Sequence, residues 1–212
     1  MIRLDRPTIS GGRLLVSGGE IFLRLKKSGQ ELSLAPNVKL TLRYPDLPLL
    51  PSMKLFSGDE SNPNLFNWLP LTDLQNNNVA ITTQNYEIQT NRVRWINNAY
   101  MVDTAGIPQV KVSADLASTL TNANTVAFAV FKDYRAVVPM VPDLATHKFT
   151  SIRIPVGKEL TLVVISRQGN DYFLGTKTFV TATQAANTGN QSVSVTPVIK
   201  TLSSVIDYLN TL

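Results

Sequence analysis

Short apolar segments separated by turn-forming residues define this sequence. Residues 20–26 (EIFLRLK) and 160–166 (LTLVVIS) are rich in the branched and aromatic residues that strands favour. Residues 38–44 alternate apolar and polar side chains with a period of two, which is typical of a half-buried strand. Glycine, proline and asparagine recur between such segments. The pattern predicts an all-β protein.

Glycine pairs and hairpin signals give the predicted strands their limits. Gly11-Gly12 and Gly18-Gly19 predict tight turns on either side of a strand at residues 13–17, because glycine tolerates positive φ. Ser28-Gly29-Gln30 and residues 167–171 predict hairpin turns. Further strands are predicted at residues 20–26, 31–34, 38–44, 53–56, 66–68, 79–83, 86–90, 92–96, 109–114, 125–134, 149–154, 159–166, 172–180 and 191–196.

The segment from Asp103 to Pro108 predicts a domain boundary. It is short, polar and contains glycine and proline, whereas apolar strands precede and follow it. A chain of 212 residues is long enough for two domains of about 100 residues each. We therefore expect two β-sandwich-like domains, at residues 1–104 and 105–212.

One short helix is predicted at the C-terminal end. With Thr201 as N-cap, Leu202, Val205, Ile206, Leu209 and Leu212 fall at spacings of three and four. A helix of about twelve residues is marginal in isolation, so packing against the second domain must stabilise it. We expect Leu202, Val205, Ile206 and Leu209 to provide that packing.

The composition excludes much of catalytic and metal chemistry. The chain has a single histidine, His147, and no cysteine, so thiol nucleophiles, zinc clusters and multi-histidine sites are not available. His147 is predicted to lie in a surface turn. Asp59 and Glu60 offer oxygen ligands of the kind that calcium takes, although the same residue types also form turns. We expect a protein that is not an enzyme and holds no metal or cofactor.

The positive charge is concentrated in the first quarter of the chain. Residues 1–54 contain nine Lys and Arg against four Asp and Glu, whereas the remainder contains eleven of each. Arg24, Lys26 and Lys39 are the candidate residues for weak, salt-sensitive binding of an anionic polymer or lipid head group. Because these charges are interleaved along strands, we expect no nucleic-acid partner.

Aromatic side chains are the second candidate binding material. Trp68, Trp95 and Tyr100 could stack on a sugar or anchor a protein interface, but tryptophan in a β-sandwich more often fills the core. Exposure of the rings distinguishes these alternatives. Buried rings favour a structural role, and a coplanar exposed pair favours sugar binding.

Several segments of the first domain resemble those of a known protein family. These are residues 17–36 (SGGEIFLRLKKSGQELSLAP), Leu40 to Pro45, Met53 to Gly58, and Asn67-Trp68. Over about residues 10–70 the chain resembles uncharacterised bacterial envelope lipoproteins. Their first domain is similar to the β-sandwich module of ankyrins, netrin receptors and tight-junction scaffolds. The shared pattern is a glycine pair, a strand, a Gly-x-x-Leu turn and a strand that ends in proline.

The resemblance implies export and a lipid anchor. In such lipoproteins a signal peptide and a lipid-bearing cysteine precede the sandwich, and the eukaryotic modules mediate protein interactions. Residues 1–7 lack the apolar core of a signal peptide, so we expect the leader to lie upstream of this sequence. The expected location is the periplasm or the outer-membrane surface, with the cytoplasm as the lesser alternative.

These observations leave two main functional hypotheses. The first is a non-catalytic binding or structural module of the bacterial cell envelope, with an envelope protein or polysaccharide as partner. The alternative is a carbohydrate-binding or carbohydrate-active surface protein that uses Trp68, Trp95 or Tyr100. A cytoplasmic scaffold is a third, weaker hypothesis.

Overall fold

The computed structural model describes residues 6–45, 48–62, 66–121, 123–143, 145–183 and 189–212. Strands dominate these ranges, and the one helix in them is short and C-terminal. The protein is therefore all-β, as the sequence predicts. Within the described ranges no helix has the length and apolar character needed to span a bilayer.

Contacts between residues divide the chain into two compact units. The first unit is Thr8–Val102. The second is Asp103–Leu212, and it also includes Arg6 and Pro7. Each unit contains its own sheets, and they are described separately below.

The strands of the first unit form two sheets and a separate hairpin. The strands are β1 (Ile9–Ser10), β2 (Arg13–Leu23), β3 (Leu25–Lys27), β4 (Gln30–Leu32), β5 (Leu40–Pro45), β6 (Lys54–Asp59), β7 (Asn67–Pro70), β8 (Asn78–Ile81), β9 (Asn85–Thr90) and β10 (Arg94–Met101). The larger sheet has the order β1-β2-β10-β6-β7 and the smaller one the order β5-β9-β8. Strands β3 and β4 pair only with each other.

The two sheets of the first unit share an apolar core. Leu55 and Ile96 from the larger sheet cluster with Ile88 from the smaller one, and Leu42 and Tyr44 on β5 pack against this cluster. Residues of β5 alternate between half-buried and exposed, which confirms the predicted period of two for residues 40–44. Val38 precedes the strand and is exposed. Face-to-face packing of two antiparallel sheets around such a core is the arrangement of a β-sandwich.

The prediction of a turn at Gly18-Gly19 is wrong. Both glycines lie inside β2, which runs without a break from Arg13 to Leu23. A β-bulge interrupts the pairing of β2 with β10 at this point, where Asn98 lies opposite Gly19 and Ala99 opposite Ser17. A Cβ at position 18 would lie 2.6 Å from the side-chain amide nitrogen of Asn98, so glycine is required there by packing and not by a turn.

A second cluster lies on the opposite face of the larger sheet. Trp68, Trp95 and Phe66 belong to it, together with Leu15, Phe56 and Ala99. The Phe66 ring meets both tryptophans edge-on, with centroids 4.9 Å from Trp68 and 6.1 Å from Trp95. Because both faces of this sheet are covered, the neighbours Trp95 and Ile96 are both buried.

The second unit contains ten strands and the helix in the described ranges. The elements are β11 (Gln109–Asp115), β12 (Thr125–Phe131), β13 (Ala136–Pro139), β14 (Val141–Asp143), β15 (Lys148–Thr150), β16 (Ile154–Pro155), β17 (Glu159–Gln168), β18 (Asp171–Val180), β19 (Asn190–Ser194), β20 (Val198–Lys200) and α1 (Leu202–Leu209). One sheet has the order β13-β12-β17-β18-β20. The other has the order β14-β15-β11-β16, and β19 pairs in parallel with β11.

Local turn chemistry shapes this unit. The hairpin predicted around residues 167–171 is confirmed, since β17 and β18 are joined by Gly169 and Asn170, with Gly169 at a φ of 63°. The strand predicted at residues 125–134 is shorter, because the chain turns at residues 132–135 and returns as β13.

The helix begins where the sequence predicts. The Thr201 hydroxyl accepts a hydrogen bond from the backbone N–H of Ser204, which is the expected N-cap geometry. Val205 is 3% exposed and lies in a cluster with Phe128 and Val163 of the sheet. Leu209 also packs there, but Leu202 is 48% exposed, so its predicted role in docking is wrong.

Candidate interaction surface

The hairpin β3–β4 forms a two-stranded sheet that pairs with no other strand of the described chain. Leu25 faces Leu32, Lys26 faces Glu31 and Lys27 faces Gln30. All six residues are exposed. Ser28 and Gly29 both have positive φ, at 50° and 82°, which matches the tight turn that two-residue hairpins favour. The hairpin therefore carries two backbone edges that pair with no other strand.

An exposed aromatic ring lies at the base of this hairpin. Phe22 is on β2, directly before the hairpin, and 38% of it is exposed. Leu25 and Leu32 are also exposed and lie opposite each other. Successive residues of a strand point to opposite faces, so the Leu25–Leu32 pair lies on the other face of the hairpin from Lys26 and Glu31. Exposed large apolar side chains are a feature of interaction sites.

Four charged side chains surround Phe22 and are paired with one another. Arg24 Nε lies 3.0 Å from Glu31 Oε1, and Arg94 Nη1 lies 2.6 Å from Glu31 Oε2. Arg94 also donates from Nε and Nη2 to Glu60 Oε2, at 2.9 and 2.7 Å. Phe22, Leu25, Leu32, Arg24, Arg94, Glu31 and Glu60 are called the hairpin surface below.

The ion-paired side chains of the hairpin surface are balanced in charge, whereas Lys26 and Lys27 on β3 add two positive charges beside them. Two arginines meet two glutamates, and hydrogen bonds and charge attraction from Glu60, followed by Glu31, raise the pKa of Arg94. These side chains are partly exposed, so solvent screens the pairs and each contributes about 0.2–1 kcal/mol. The pairs orient the guanidinium groups more than they stabilise the unit.

Both guanidinium groups lie over the Phe22 ring. The central guanidinium carbon is 5.1 Å from the ring centroid for Arg24 and 5.9 Å for Arg94. Both distances are within the range of a cation–π contact. The ring also meets Trp95 at 4.7 Å between centroids, with an angle of 43° between planes. Phe22 is thus held in place by both the core and the charged groups.

Arg94 has a backbone conformation that is uncommon for a residue with a long side chain. Its φ is 74°, in the left-handed region that favours glycine. Residues held in this region often lie at functional sites, where the surrounding contacts offset the strain. Here the contacts with Glu31 and Glu60 hold the guanidinium over Phe22.

The three predicted aromatic residues lie mostly in the core. Trp68 is 0% exposed and Trp95 is 9% exposed, so neither ring offers a free face on which a sugar could stack. Tyr100, on β10, is half-buried. The structure places Trp95 beneath Phe22, where it supports the hairpin surface.

The three predicted basic residues are exposed, and two of them belong to the hairpin region. Arg24 is paired with Glu31, and Lys26 lies opposite Glu31 across the hairpin. Lys39 lies elsewhere and donates from Nζ to the backbone oxygen of Gln75 at 2.5 Å. Arg24 is therefore engaged by a carboxylate and Lys39 by a backbone oxygen.

Arg94 was not among the predicted site residues, and Glu60 was considered only as a possible calcium ligand. They lie 34 positions apart in the sequence, and no local pattern joins them. Glu31 could have been found, because the hairpin turn predicted at residues 28–30 brings it close to the lysines of the preceding strand. The observed turn is one residue shorter and places it opposite Lys26. Phe22 could not be assigned to the surface from its strand alone, since both faces of the larger sheet carry apolar residues.

The other candidate residues have ordinary structural roles. Hydrogen bonds from the side chain of Ser61 and then from its backbone N–H, the latter at 3.0 Å, lower the pKa of Asp59. Glu60 bonds to Arg94. His147 is exposed in a turn, as predicted. Across the described ranges, no group of three or more His, Cys, Asp or Glu side chains is placed to hold a metal ion.

Comparisons with known proteins give no family for this chain. No protein-family model matches the sequence, and no curated protein matches it either. The functional argument therefore depends on the hairpin surface itself. Exposed phenylalanine and arginine are enriched in the centres of protein interfaces, where they contribute much of the binding energy.

Proposed function

We propose that the protein is a non-catalytic binding module of the bacterial cell envelope, and that the hairpin surface binds a protein partner. The observation that carries this proposal is the exposed Phe22 ring with two guanidinium groups held 5.1 and 5.9 Å from its centroid. An unpaired hairpin adjoins it.

A protein partner fits this surface better than an anionic polymer does. Arg24 and Arg94 are already engaged by Glu31 and Glu60, which leaves Lys26 and Lys27 as the charge excess of the hairpin. Two exposed lysines attract a polyanion only weakly, because salt screens them. Its apolar residues and its free strand edges suit a partner segment that adds as a further strand. Backbone hydrogen bonds would then provide affinity, and contact with the exposed Phe22 ring would provide specificity.

The envelope location is supported by the resemblance of residues 10–70 to bacterial envelope lipoproteins. In that arrangement a lipid anchor upstream of the present sequence holds the protein at the membrane. Reading the codons that precede the codon for Ile2 in the native gene tests this arrangement directly. A signal peptide that ends in a cysteine is expected, and a start codon that directly precedes Ile2 with no leader would contradict it.

Site-directed photo-crosslinking tests the binding surface. A photoreactive amino acid at position 32 of the full-length protein should give a discrete protein adduct in cells that produce the protein natively. The matched control is position 74, because Leu74 is also an exposed leucine of the first unit. An adduct from position 32 that is absent from position 74 supports the proposal. Equal adducts at both positions, or none at position 32, would overturn it.

A second variant separates apolar contact from charge. Phe22→Ser should abolish the adduct from position 32, because the partner loses its aromatic contact. Neutralisation of two lysines by Lys26→Gln and Lys39→Gln should leave the adduct in place, because it removes positive charge without placing a carboxylate opposite Glu31. If the double neutralisation abolishes the adduct, and binding to anionic vesicles or envelope polysaccharide is lost at high salt, the partner is an anionic polymer and the proposed protein interface is wrong.

A further inference from the structure

Strand β8 forms one edge of the smaller sheet of the first unit and lacks the features that protect β5 and β7. The outer side of β8 pairs with no other strand of the described chain. The opposite edge strand, β5, contains Arg43 and Pro45, and β7, at an edge of the larger sheet, contains Pro70. Charged side chains and prolines at edges oppose the addition of further strands. Residues 74–86, which include β8, contain neither.

The free edge of β8 presents the backbone groups of two residues. At the turn between β8 and β9, the backbone N–H of Thr82 donates to the backbone oxygen of Asn85 at 2.9 Å. Opposed residues of an antiparallel ladder alternate between hydrogen-bonded and non-hydrogen-bonded pairs, so Ala80 forms its backbone bonds with β9. The backbone N–H and C=O groups of Val79 and Ile81 therefore point outward, to the free edge.

The side chains of β8 alternate between the two faces of the smaller sheet. Val79 packs against the core cluster of the sandwich, and Ile81 points to the same face. Ile81 is nevertheless 45% exposed, because no strand lies beside it on the outer side. Ala80 is exposed on the opposite face. The edge thus combines an apolar inner row with a small neutral side chain outside.

We propose that β8 pairs with β8 of a second copy of this chain, in antiparallel orientation about a two-fold axis at Ala80. In this register Val79 lies opposite Ile81 of the second copy, so apolar side chains meet and the outward backbone groups of both residues form hydrogen bonds. Ala80 faces itself, and Asn78 faces Thr82, so polar side chains meet on the outer face. A self-complementary patch of this kind is what an isologous dimer requires.

Other two-fold registers of β8 match less well. An axis at Val79 would place Ile81 opposite Asn77, which is buried in the preceding turn. An axis at Ile81 would place Val79 opposite Thr83, which pairs an apolar side chain with a polar one. The axis at Ala80 is therefore the register that covers the exposed part of Ile81. Because β8 belongs to the smaller sheet, this interface does not depend on the hairpin surface.

A single introduced cysteine tests the pairing, since the chain has none of its own. In a non-hydrogen-bonded antiparallel pair the Cα atoms lie about 4.5 Å apart, which suits a disulfide. Mild oxidation of the full chain with Ala80→Cys should therefore give a disulfide-linked dimer. Thr41→Cys is the matched control, because Thr41 is exposed on β5, the other edge of the same sheet, and it should stay monomeric. Equal yields of dimer from both variants, or none from Ala80→Cys, would overturn the proposal.

Charge variants at the same position test the two-fold axis. Sedimentation equilibrium of the unaltered full chain should show monomers and dimers in exchange. Ala80→Glu and Ala80→Lys should each weaken dimerisation at least about tenfold, because like charges then face each other. An equal mixture of the two variants should restore it, because opposite charges then meet.

Two results of the sedimentation experiment would overturn the proposal. A chain that stays monomeric at every concentration is the result expected if another protein supplies the additional strand. Dimers that neither charge weakens would lie at a different surface. Loss of the fold does not explain an effect of Ala80→Lys, because the new ammonium lies beside Glu87 of the same chain.

Discussion

Phe22 and Trp95 are cross-strand partners on β2 and β10, with ring centroids 4.7 Å apart. One ring is 38% exposed and the other 9%. Phe22 therefore belongs to the hairpin surface, and its partner Trp95 belongs to the core. A partner that binds Phe22 contacts a ring whose position is already fixed by Trp95, which reduces the entropy lost on binding.

The two rings should differ in their contribution to stability. Trp95→Ala should lower the free energy of unfolding by about 3–5 kcal/mol, because it removes a large buried side chain. Phe22→Ala should cost only about 1 kcal/mol, because part of the ring remains in solvent. Urea denaturation measures both values. Equal losses would show that Phe22 is a core residue and not part of a binding surface.

The backbone conformation of Arg94 predicts an unusual order of stability among variants at this position. Arg94→Gly and Arg94→Ala both remove the contacts with Glu31 and Glu60, but only glycine tolerates a φ of 74° without strain. The glycine variant should therefore be more stable than the alanine variant by about 1 kcal/mol.

Thr41 provides the control for this comparison. It is exposed on β5, a regular strand, where glycine should be the less stable of the two replacements. Chemical denaturation of the glycine and alanine variants gives the order of stability at each of the two positions. A more stable alanine variant at position 94 would contradict the strain described for Arg94.

The helix α1 should depend on Val205 more than on any exposed position. Val205→Ala should lower the free energy of unfolding by about 2 kcal/mol, because it removes buried methyl groups from the cluster with Phe128 and Val163. Leu202→Ala should change it by less than about 0.5 kcal/mol, because Leu202 is largely in solvent. Thermal unfolding of both variants tests this order. A larger effect at Leu202 would mean that the helix packs on the sheet through Leu202 and not through Val205.

The turn after Asp73 predicts a specific pH dependence. The side-chain amide of Asn76 donates to the Asp73 carboxylate at 2.8 Å, and this bond lowers the pKa of Asp73. Because the folded pKa lies below the unfolded one, the stabilisation is present above the unfolded pKa and is lost as the pH falls through the folded pKa.

Asn76→Ala isolates this effect. The variant should return the pKa of Asp73 towards its ordinary value, as followed by NMR of the carboxyl carbon during an acid titration. The pKa of Asp59 should stay low in the same variant, because its donors are on Ser61. An unchanged titration of Asp73 would show that Asn76 is not the cause.

Features that depend on a few neighbouring residues could be predicted from the sequence. The turn at Ser28-Gly29, the alternation along β5 and the N-cap at Thr201 all arise from local backbone preferences. These preferences act over a few residues, so a single sequence is sufficient to detect them.

Features that depend on a distant strand could not be predicted. The glycine pair at positions 18 and 19 has the composition of a turn, and only its pairing with β10 converts it into a bulge. A strand that contains Trp95 was predicted, but the burial of both Trp95 and its neighbour Ile96 was not. Arg94 joins Glu31 across 63 positions, a relationship that no periodicity reveals.

The parallel pairing of β19 with β11 has a consequence for how the second unit is made. Strand β11 is the first strand of that unit, and its partner at Asn190–Ser194 is almost the last. On a ribosome, residues 109–115 emerge long before this partner does, so one edge of β11 stays open until nearly the whole unit has been synthesised. Pairing over such a long separation closes slowly. The unit therefore completes its sheet only after release of its final strands, and a nascent chain that stops before residue 190 exposes an aggregation-prone edge.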